Sequence, residues 1–286
     1  MKGEHSIALL CEVLGASRSG YYCWCGAPTS ARKKADAMLA AKIAVYHRQS
    51  RGNYGSPRIV ADLREEGHGT SRRRCARLMK ELGLKGRKKH RRKPRTTDSR
   101  HHQPVAPNVL ALVEKPSAPN QVWVTDITYL QTGEGWLYLA VILDVWSRRV
   151  VGWACAPTMT ASLVLAALTT AIKTRQPSRG LVHHSDRGSQ YVDHEYVAAL
   201  EDAGIARSMS RAGNCYDNAA MESFWSNFKT ETEMDIKPPA TRERARLAIF
   251  DHIETFYNPK RRHSSLDYLS PVAFEKLNTK NDSLAA

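Results

Sequence analysis

The sequence has no long apolar segment. No stretch approaches the roughly eighteen consecutive apolar residues that a membrane-spanning helix needs. The first residues also lack the basic, apolar and small-residue order of a secretory signal peptide. These absences argue against a membrane protein and predict a cytoplasmic protein with reduced thiols.

Cysteine is scarce, and its spacing fits no framework. The six cysteines are scattered, without a CxxC pair. Cys23 and Cys25 with His5 or His47 are the nearest approach to a zinc set, but their spacing matches no common zinc motif. A disulfide framework and a structural zinc site are therefore not expected. The cysteines are Cys11, Cys23, Cys25, Cys75, Cys155 and Cys215.

Acidic residues are few in the first third of the chain. Residues 1–106 contain 24 Lys and Arg against 8 Asp and Glu, a net charge of +16, whereas residues 107–286 contain 19 against 20, a net charge of −1. All of the excess positive charge therefore lies in the first third. This asymmetry predicts a polyanion, such as DNA, as the partner of that part.

The densest basic run is KGRKKHRRKPR, from Lys85 to Arg95, with eight Lys and Arg in eleven residues. A solvated linker whose charges only aid solubility is one interpretation. Salt-dependent binding to a phosphate backbone is the other, and it is favoured because a block of one sign attracts polyanions. The residues expected to contact DNA here are Lys88, Lys89, Arg91 and Arg92.

Two helices with a glycine break between them precede this run. Pro57 to Glu66 has a proline in its first turn and an apolar face. A second helix, capped by Thr70 or Ser71, carries apolar residues at i, i+3, i+4 and i+7 and ends at Gly83. A charged helix face is the plain interpretation, whereas a helix-turn-helix that places arginines in the DNA major groove is the favoured one. The arginines expected to contact DNA are Arg72, Arg73, Arg74 and Arg77.

Residues 6–25 predict two short helices, separated by a turn at Gly15, with Ser17 beginning the second. An ordinary helical hairpin and part of a further helix-turn-helix explain this pattern equally well.

From about residue 120 the pattern changes to alternating strands and helices. Tight connections between the first three strands predict an antiparallel meander. Strand–helix alternation follows, and this order is that of an α/β, RNase H-like fold with a mixed five-stranded sheet. The predicted strands are 121–131, 136–146, 149–156, 180–185 and 205–210, and the predicted helices are 161–174, 193–203, 218–232 and 241–257.

Two aspartates occupy positions where a carboxylate is costly unless its charge is used. Asp126 stands among apolar residues of the first strand, where an ionised group needs a partner or a cation. Asp186 follows the fourth strand, at the end of a strand where α/β proteins commonly build sites. Taken singly, each is equally consistent with a hydrogen-bonded structural aspartate.

Glu222 is the third acid, and 35 residues separate it from Asp186. It borders an apolar helical stripe, and Lys229 lies within about 20° of it on a helix of ~100° per residue. A surface pair beside a core helix is the plain interpretation. A metal ligand with a DNA-phosphate contact beside it explains both residues together. Three carboxylates of this kind are suited to hold two Mg²⁺ ions.

Other polar residues are weaker candidates. Asp144 is expected as a turn acid, and Asp217 or Asn218 as the cap of the helix that carries Glu222. His183 and His184 are expected to pack or to orient substrate, because Mg²⁺ prefers oxygen ligands.

Six segments together resemble a known family. They are GNYGSPRI, WVTDITYL, GWLYLAVILDVWSRRVVGW, HHSDRGSQY, SRAGNCYDNAAMESFWSNFK and YNPKRRHSSLDYLSPVAFE. The chain resembles the integrase-like DDE transposases of bacterial insertion sequences, of the second-reading-frame (OrfB) type, and more distantly retroviral integrases. In that family a first-reading-frame product supplies a helix-turn-helix and a coiled coil that are not complete here. The zinc-binding His/Cys domain of the retroviral enzymes is absent.

The resemblance implies an Mg²⁺-dependent transposase that nicks 3′ ends and transfers strands at insertion-sequence ends. Asp126, Asp186 and Glu222 are its expected catalytic and metal-binding residues. Two Mg²⁺ ions are expected, with Mn²⁺ as a substitute. The expected partners are DNA ends and target DNA, a second copy of the chain in a synaptic complex, and a first-reading-frame partner or fusion. The expected location is the bacterial cytoplasm, at the nucleoid.

Two alternatives stay open at this point. One is an RNase H-like nuclease that cuts without joining, and the other is a DNA-binding regulator with an inert core. At the C-terminus, Lys260, Arg261 and Arg262 are expected to contact DNA, although ordinary surface charge explains them equally well.

The sequence thus predicts five segments. They are an N-terminal helical segment with a partial helix-turn-helix at 1–50, a helix-turn-helix-like DNA-binding domain at 51–85, a basic flexible linker at 86–119, an RNase H-like catalytic core at 120–235, and a C-terminal helix with a basic tail at 236–286.

Overall fold

The structure is a computed structural model, and it describes residues 5–26, 30–88, 106–110, 113–211 and 219–284. Two compact units are present, Met1–Lys85 and Gly86–Ala286. Across the described residues, helices are either too short or too polar to cross a membrane.

The first unit is entirely helical. The predicted turn at Gly15 is confirmed, since this residue has a positive φ of 64° and separates the first two helices. A 19-residue helix, α3, follows, which the sequence patterns did not resolve from its surroundings. The helices are α1 (Ile7–Val13), α2 (Arg18–Gly26), α3 (Ala31–Gln49), α4 (Ser56–Glu65) and α5 (Arg72–Glu81).

The predicted helix pair is confirmed as α4 and α5, and α3 packs against both. Ser71 caps α5 by accepting a hydrogen bond from the Arg74 N–H, and Gly83 ends it with a φ of 68°. Burying one apolar face of each helix gives the unit its core. The buried apolar side chains of α3, α4 and α5 are Leu39, Ile43, Ile59, Val60, Leu63, Cys75, Leu78 and Met79.

The second unit is built on a mixed five-stranded sheet with the order β3-β2-β1-β4-β5. The first three strands form the predicted antiparallel meander, and β4 and β5 run parallel to β1. The predicted α/β fold class is therefore confirmed. The strands are β1 (Val122–Thr132), β2 (Gly135–Asp144), β3 (Val150–Ala156), β4 (Val182–Ser185) and β5 (Ala206–Met209).

Helices cover both faces of this sheet. Alternate side chains of a strand point to opposite faces, so Val122 and Val124 enter the core under α8, whereas Trp123 enters the core under α6 and α7. The helices are α6 (Ala161–Arg175), α7 (His194–Asp202), α8 (Ala219–Thr232), α9 (Arg242–Phe250) and α10 (Pro271–Leu284).

The C-terminal part differs from prediction in one helix. A single helix is predicted over 241–257, but α9 ends at Phe250 and a π-helix continues from Asp251 to Tyr257. The π-helix buries His252, Ile253, Phe256 and Tyr257. These four side chains lie on the side of the helix that faces the core. Farther on, Glu275 of α10 binds arginines of the core.

Parts of the predicted linker pack on the second unit. Val109, Leu110 and Val113 lie against the core beneath α8, and the Arg87 side chain donates a hydrogen bond to the Glu231 carbonyl oxygen. A flexible linker over 86–119 is therefore not a correct description of these positions, because their apolar side chains gain burial there.

Candidate active site

Asp126 lies in the middle of β1 and is half-buried. Its Oδ1 accepts a hydrogen bond from the Ile127 N–H at 2.8 Å, and its Oδ2 accepts one from the Trp225 indole N–H at 3.0 Å. Burial, reinforced by the negative charges of Asp186 and Glu222, raises the pKa of Asp126 to about 7. The structure thus brings the three predicted acids within electrostatic reach of one another.

Asp186 directly follows β4, the strand that pairs with β1 on the side away from β2. Its Oδ1 accepts a hydrogen bond from the Gly188 N–H at 3.0 Å. A Cβ at Gly188 would stand only 3.1 Å from that same oxygen, so glycine leaves room for the carboxylate in this tight turn.

Glu222 lies in the first turn of α8 and is exposed. The predicted apolar stripe beside it is buried, so the helix is fixed to the sheet while this carboxylate stays accessible. The stripe comprises Met221, Phe224, Trp225 and Phe228.

The three acids interact unequally. Asp186 affects the pKa of Asp126 more strongly than Glu222 does. Within the described ranges, no three His, Cys, Asp or Glu side chains form a group that could hold a metal ion. The electrostatic coupling within the aspartate pair is therefore the stronger one.

Lys229 lies two turns after Glu222 on α8. Its Nζ is 5.7 Å from the centre of the Tyr129 ring and 3.6 Å from Asp235 Oδ2. The side chain is half-buried, so the lysine carries a local ion pair at the position where a DNA contact is predicted.

The weaker candidates have structural partners. Asp144 is fully buried and accepts hydrogen bonds from Ser147 and from the Asn120 N–H, as befits a turn acid. His183 contacts the Tyr196 hydroxyl at 2.6 Å, and burial lowers the pKa of His183 to about 3. His184 lies between the hydroxyls of Ser208 and Ser210. Asp217 and Asn218 fall outside the described residues.

Two residues near the acids were not singled out from the sequence. Trp225 was assigned to the apolar stripe, although its indole N–H binds Asp126. Tyr191 lies buried beneath the site, where burial and the charges of Asp186 and Asp126 raise its pKa well above the ordinary value. An aromatic residue in an apolar pattern gives no signal of its polar atom, so neither role was predictable from spacing.

The predicted DNA-contacting arginines of α5 divide into two kinds. Arg72 and Arg73 are exposed. Arg74 and Arg77 both bind the Asp36 carboxylate of α3 at 2.6 Å, and their guanidinium groups lower its pKa. The second pair thus joins two helices of the unit.

The basic residues of the run and of the C-terminal triplet also differ in their exposure and in their contacts. Lys88 and Lys260 are exposed, and Arg262 donates to the Tyr268 carbonyl oxygen. Arg261 is only 1% exposed and binds Glu231, so the prediction that it contacts DNA is wrong: its charge is used inside the core. Lys89, Arg91 and Arg92 fall outside the described residues.

Comparisons with family models define the class of the protein. Residues 116–215 and residues 203–271 match models described as an integrase core domain, and residues 33–93 match an HTH-like domain. The second unit is therefore an integrase core, the core of a polynucleotidyl transferase.

Close relatives identify the family. The chain is 47% identical over 267 residues to the insertion element IS600 uncharacterized 31 kDa protein of Shigella sonnei, covering 93% of this chain and 97% of that protein. It is 39% identical over 279 residues to the transposase InsF for insertion sequence IS3A of Escherichia coli strain K12, covering 97% and 96%. The chain belongs to the IS3-family transposases.

Solved structures with similar chains include retroviral integrases. A chain of the simian T-cell lymphotropic virus intasome gives a TM-score of 0.47 at 16% identity, covering 82% of this chain and 74% of that one. The catalytic core domain of BIV integrase gives 0.41 at 21% identity, covering 57% and 99%.

Proposed function

We propose that this transposase nicks 3′ ends at the termini of its insertion sequence and transfers them to target DNA, with Asp126, Asp186 and Glu222 as its catalytic carboxylates. The observation that carries the proposal is the placement of Asp126 in β1 beside Asp186, at the end of the neighbouring β4, and within electrostatic reach of Glu222. Burial and the charges of these two acids raise the pKa of Asp126, as expected for a carboxylate placed among like charges.

The donor set fits divalent magnesium. All three groups offer carboxylate oxygens, which Mg²⁺ prefers. Repulsion between the like charges raises the electrostatic free energy of the three ionised carboxylates. A bound cation would offset that repulsion. Two Mg²⁺ ions, held by Asp126, Asp186 and Glu222, would polarise the scissile phosphodiester and activate the attacking oxygen.

The chain's own residues supply positioning and charge. Hydrogen bonds from Ile127 and Trp225 hold both oxygens of Asp126. Lys229 of α8 is proposed to contact the DNA backbone. In the first unit, the exposed Arg72 and Arg73 are proposed to contact DNA phosphates, with the basic run Lys85–Arg95 adding salt-dependent affinity.

The proposed partners are the element ends, target DNA and a second copy of the chain that pairs two ends. A first-reading-frame partner or fusion belongs to the same proposal, and the protein is expected to act at the bacterial nucleoid. An RNase H-like nuclease that cuts without joining uses the same acids, so only joined product distinguishes the two functions.

The test is a joining assay with labelled element-end oligonucleotides, a supercoiled target and Mg²⁺ or Mn²⁺. Wild type is compared with Asp186→Asn and Glu222→Gln. Glu201→Gln and Asp202→Asn, at exposed positions on α7, are matched controls for loss of one acidic charge. Joined product from wild type and both controls, with none from the site variants, is the expected result.

Other outcomes have distinct meanings. Nicking without joining favours the nuclease, or an enzyme that needs a first-frame partner. DNA binding without nicking favours a regulator with an inert core, and activity retained in Glu222→Gln removes that residue from the site.

A further inference from the structure

A polar contact joins α8 to β1 beside the acidic residues. The indole N–H of Trp225 donates a hydrogen bond to Asp126 Oδ2 at 3.0 Å. The other oxygen of this carboxylate accepts the Ile127 N–H. With both oxygens engaged, the plane of the Asp126 carboxylate is fixed by one donor from its own strand and one from the helix.

The donor itself is held firmly. Trp225 is 8% exposed, and its ring packs edge-to-face against Phe224 at 4.9 Å and against Phe228 at 5.9 Å between ring centres. Such a packed ring has little rotamer freedom. The indole N–H therefore defines where the carboxylate stands relative to α8.

Glu222 lies one turn before Trp225 on the same helix. Residues three apart on a helix are neighbours on its surface. The turn that carries Glu222 is thus tied to the strand that carries Asp126.

Burial alone does not explain this contact. A phenylalanine at this position would fill the same core without needing a partner, and a buried indole N–H is equally well satisfied by a backbone carbonyl. Here the donor is directed to the Asp126 carboxylate, whose ionised form is disfavoured by the charges of the neighbouring acids. Outer contacts of this kind orient the ligands of metal sites in general.

We propose that Trp225 is a positioning residue of the transposase: its indole N–H orients the Asp126 carboxylate and sets the separation between Asp126 and Glu222. This role rests on the proposed function, because it assumes that the two acids act together on the DNA phosphodiester.

Trp225→Phe tests the role, because it keeps an aromatic ring and removes the donor. Trp153→Phe is the matched donor control, since the half-buried Trp153 indole N–H also donates to a carboxylate, that of Glu254 at 2.9 Å. Phe224→Leu is the packing control on the same helix. Each variant is measured for melting temperature, for Mn²⁺ affinity of the DNA-free full chain by electron paramagnetic resonance, and for kcat and KM in nicking.

Trp225→Phe is expected to lower kcat and Mn²⁺ affinity by about tenfold or more, the usual effect of losing an outer-sphere partner. KM for DNA is expected to stay within about twofold, because the residue makes no ground-state contact with DNA. Trp153→Phe should match wild type in kcat and in Mn²⁺ affinity, and Phe224→Leu should lower the melting temperature more than kcat.

Three results overturn the proposal. If Trp225→Phe has the kcat and the Mn²⁺ affinity of wild type, Trp225 has no positioning role, and the proposed function is unaffected. Equal losses in Phe224→Leu show that packing, and not the donor, is responsible. A wild type that neither binds Mn²⁺ nor nicks overturns the proposed function together with this role.

A measurement without a change at Trp225 covers the case in which the variant does not fold. In the ¹⁵N-labelled wild type, the indole resonance of Trp225 is expected to shift on addition of Mg²⁺ and in Asp126→Asn, while that of Trp153 stays in place. A Trp225 resonance that moves in neither case overturns the proposal.

Discussion

Two acids that contact α8 or belong to it have opposite surroundings. Glu231, near the C-terminal end of α8, binds the guanidinium group of Arg261 at 2.7 Å, with both side chains almost fully buried. The half-buried Asp126 of β1 accepts a hydrogen bond from Trp225, in the middle of α8, and its pKa is raised by burial and by the charges of Asp186 and Glu222. The comparison separates a carboxylate that the fold pairs with an arginine from one that the fold places beside like charges.

Asp126→Asn should have the largest effect. Nicking is expected to fall by about a thousandfold or more, since loss of a residue that acts as part of a catalytic unit removes most of the rate enhancement. Stability above pH 7 should rise, because the amide removes the repulsion from Asp186. Single-turnover kinetics and urea unfolding of the same preparation check both expectations. If Asp126→Asn loses stability as well as activity, the Asp126 charge stabilises the fold, and the contrast with Glu231 does not hold.

Arg261→Met should destabilise the core by about 3–5 kcal/mol, because it leaves the Glu231 carboxylate buried without its partner. The double variant with Glu231→Leu should recover much of this loss. Urea unfolding measures both. If Arg261 instead contacts DNA, the single variant keeps its stability and loses the salt dependence of DNA binding.

The pH dependence of stability should follow Asp126. Its pKa in the folded protein, about 7, lies above the ordinary 3.8, so the folded state binds the proton more tightly. Stability is therefore full below about pH 4 and falls as the pH rises to about 7, by on the order of 1–4 kcal/mol. Asp126→Asn should flatten the curve in this window. A wild-type curve without this fall would show that Asp126 titrates normally.

Mg²⁺ should reverse that fall. Because the cation binds the ionised carboxylates, its addition near pH 7 is expected to release protons and to raise the melting temperature. Calorimetric titrations in buffers of different ionisation enthalpy measure the proton release. Heat that is independent of the buffer would contradict this expectation.

The smallest effect is expected at the exposed arginines of the first unit. Arg73→Ala should reduce the slope of log affinity against log salt by about one, as for loss of a single phosphate contact. Arg77→Ala is the comparison, since Arg77 binds Asp36 and Glu81, and its loss should change the melting temperature more than the slope. Equal slopes in all three proteins would remove the DNA contact from Arg73.

Much of this arrangement was predictable from local patterns. The period of the apolar residues and the glycine turns predicted the antiparallel meander, helix α6 and the α4–α5 pair. Three acids in costly positions gave the candidate site. These features depend on short-range rules of alternation and capping.

The remainder depends on which side chains meet in three dimensions. Arg261 and Glu231 are 30 residues apart, and nothing in KRRH distinguishes a buried arginine from an exposed one. The Trp225 donor was likewise hidden within an apolar stripe. The π-helix from Asp251 to Tyr257 was read as ordinary helix, because its extra residue per turn has no signature in composition.

The attachment of Arg87 to α8 has a mechanical consequence. Arg87 is held at Glu231 and Glu233, and the Ala106 N–H meets the sulfur of Met209, so the chain on either side of residues 88–105 is fastened to one unit. That stretch carries most of the basic run. If this stretch binds DNA as proposed, its two anchored flanks keep that DNA near the core and raise its local concentration there.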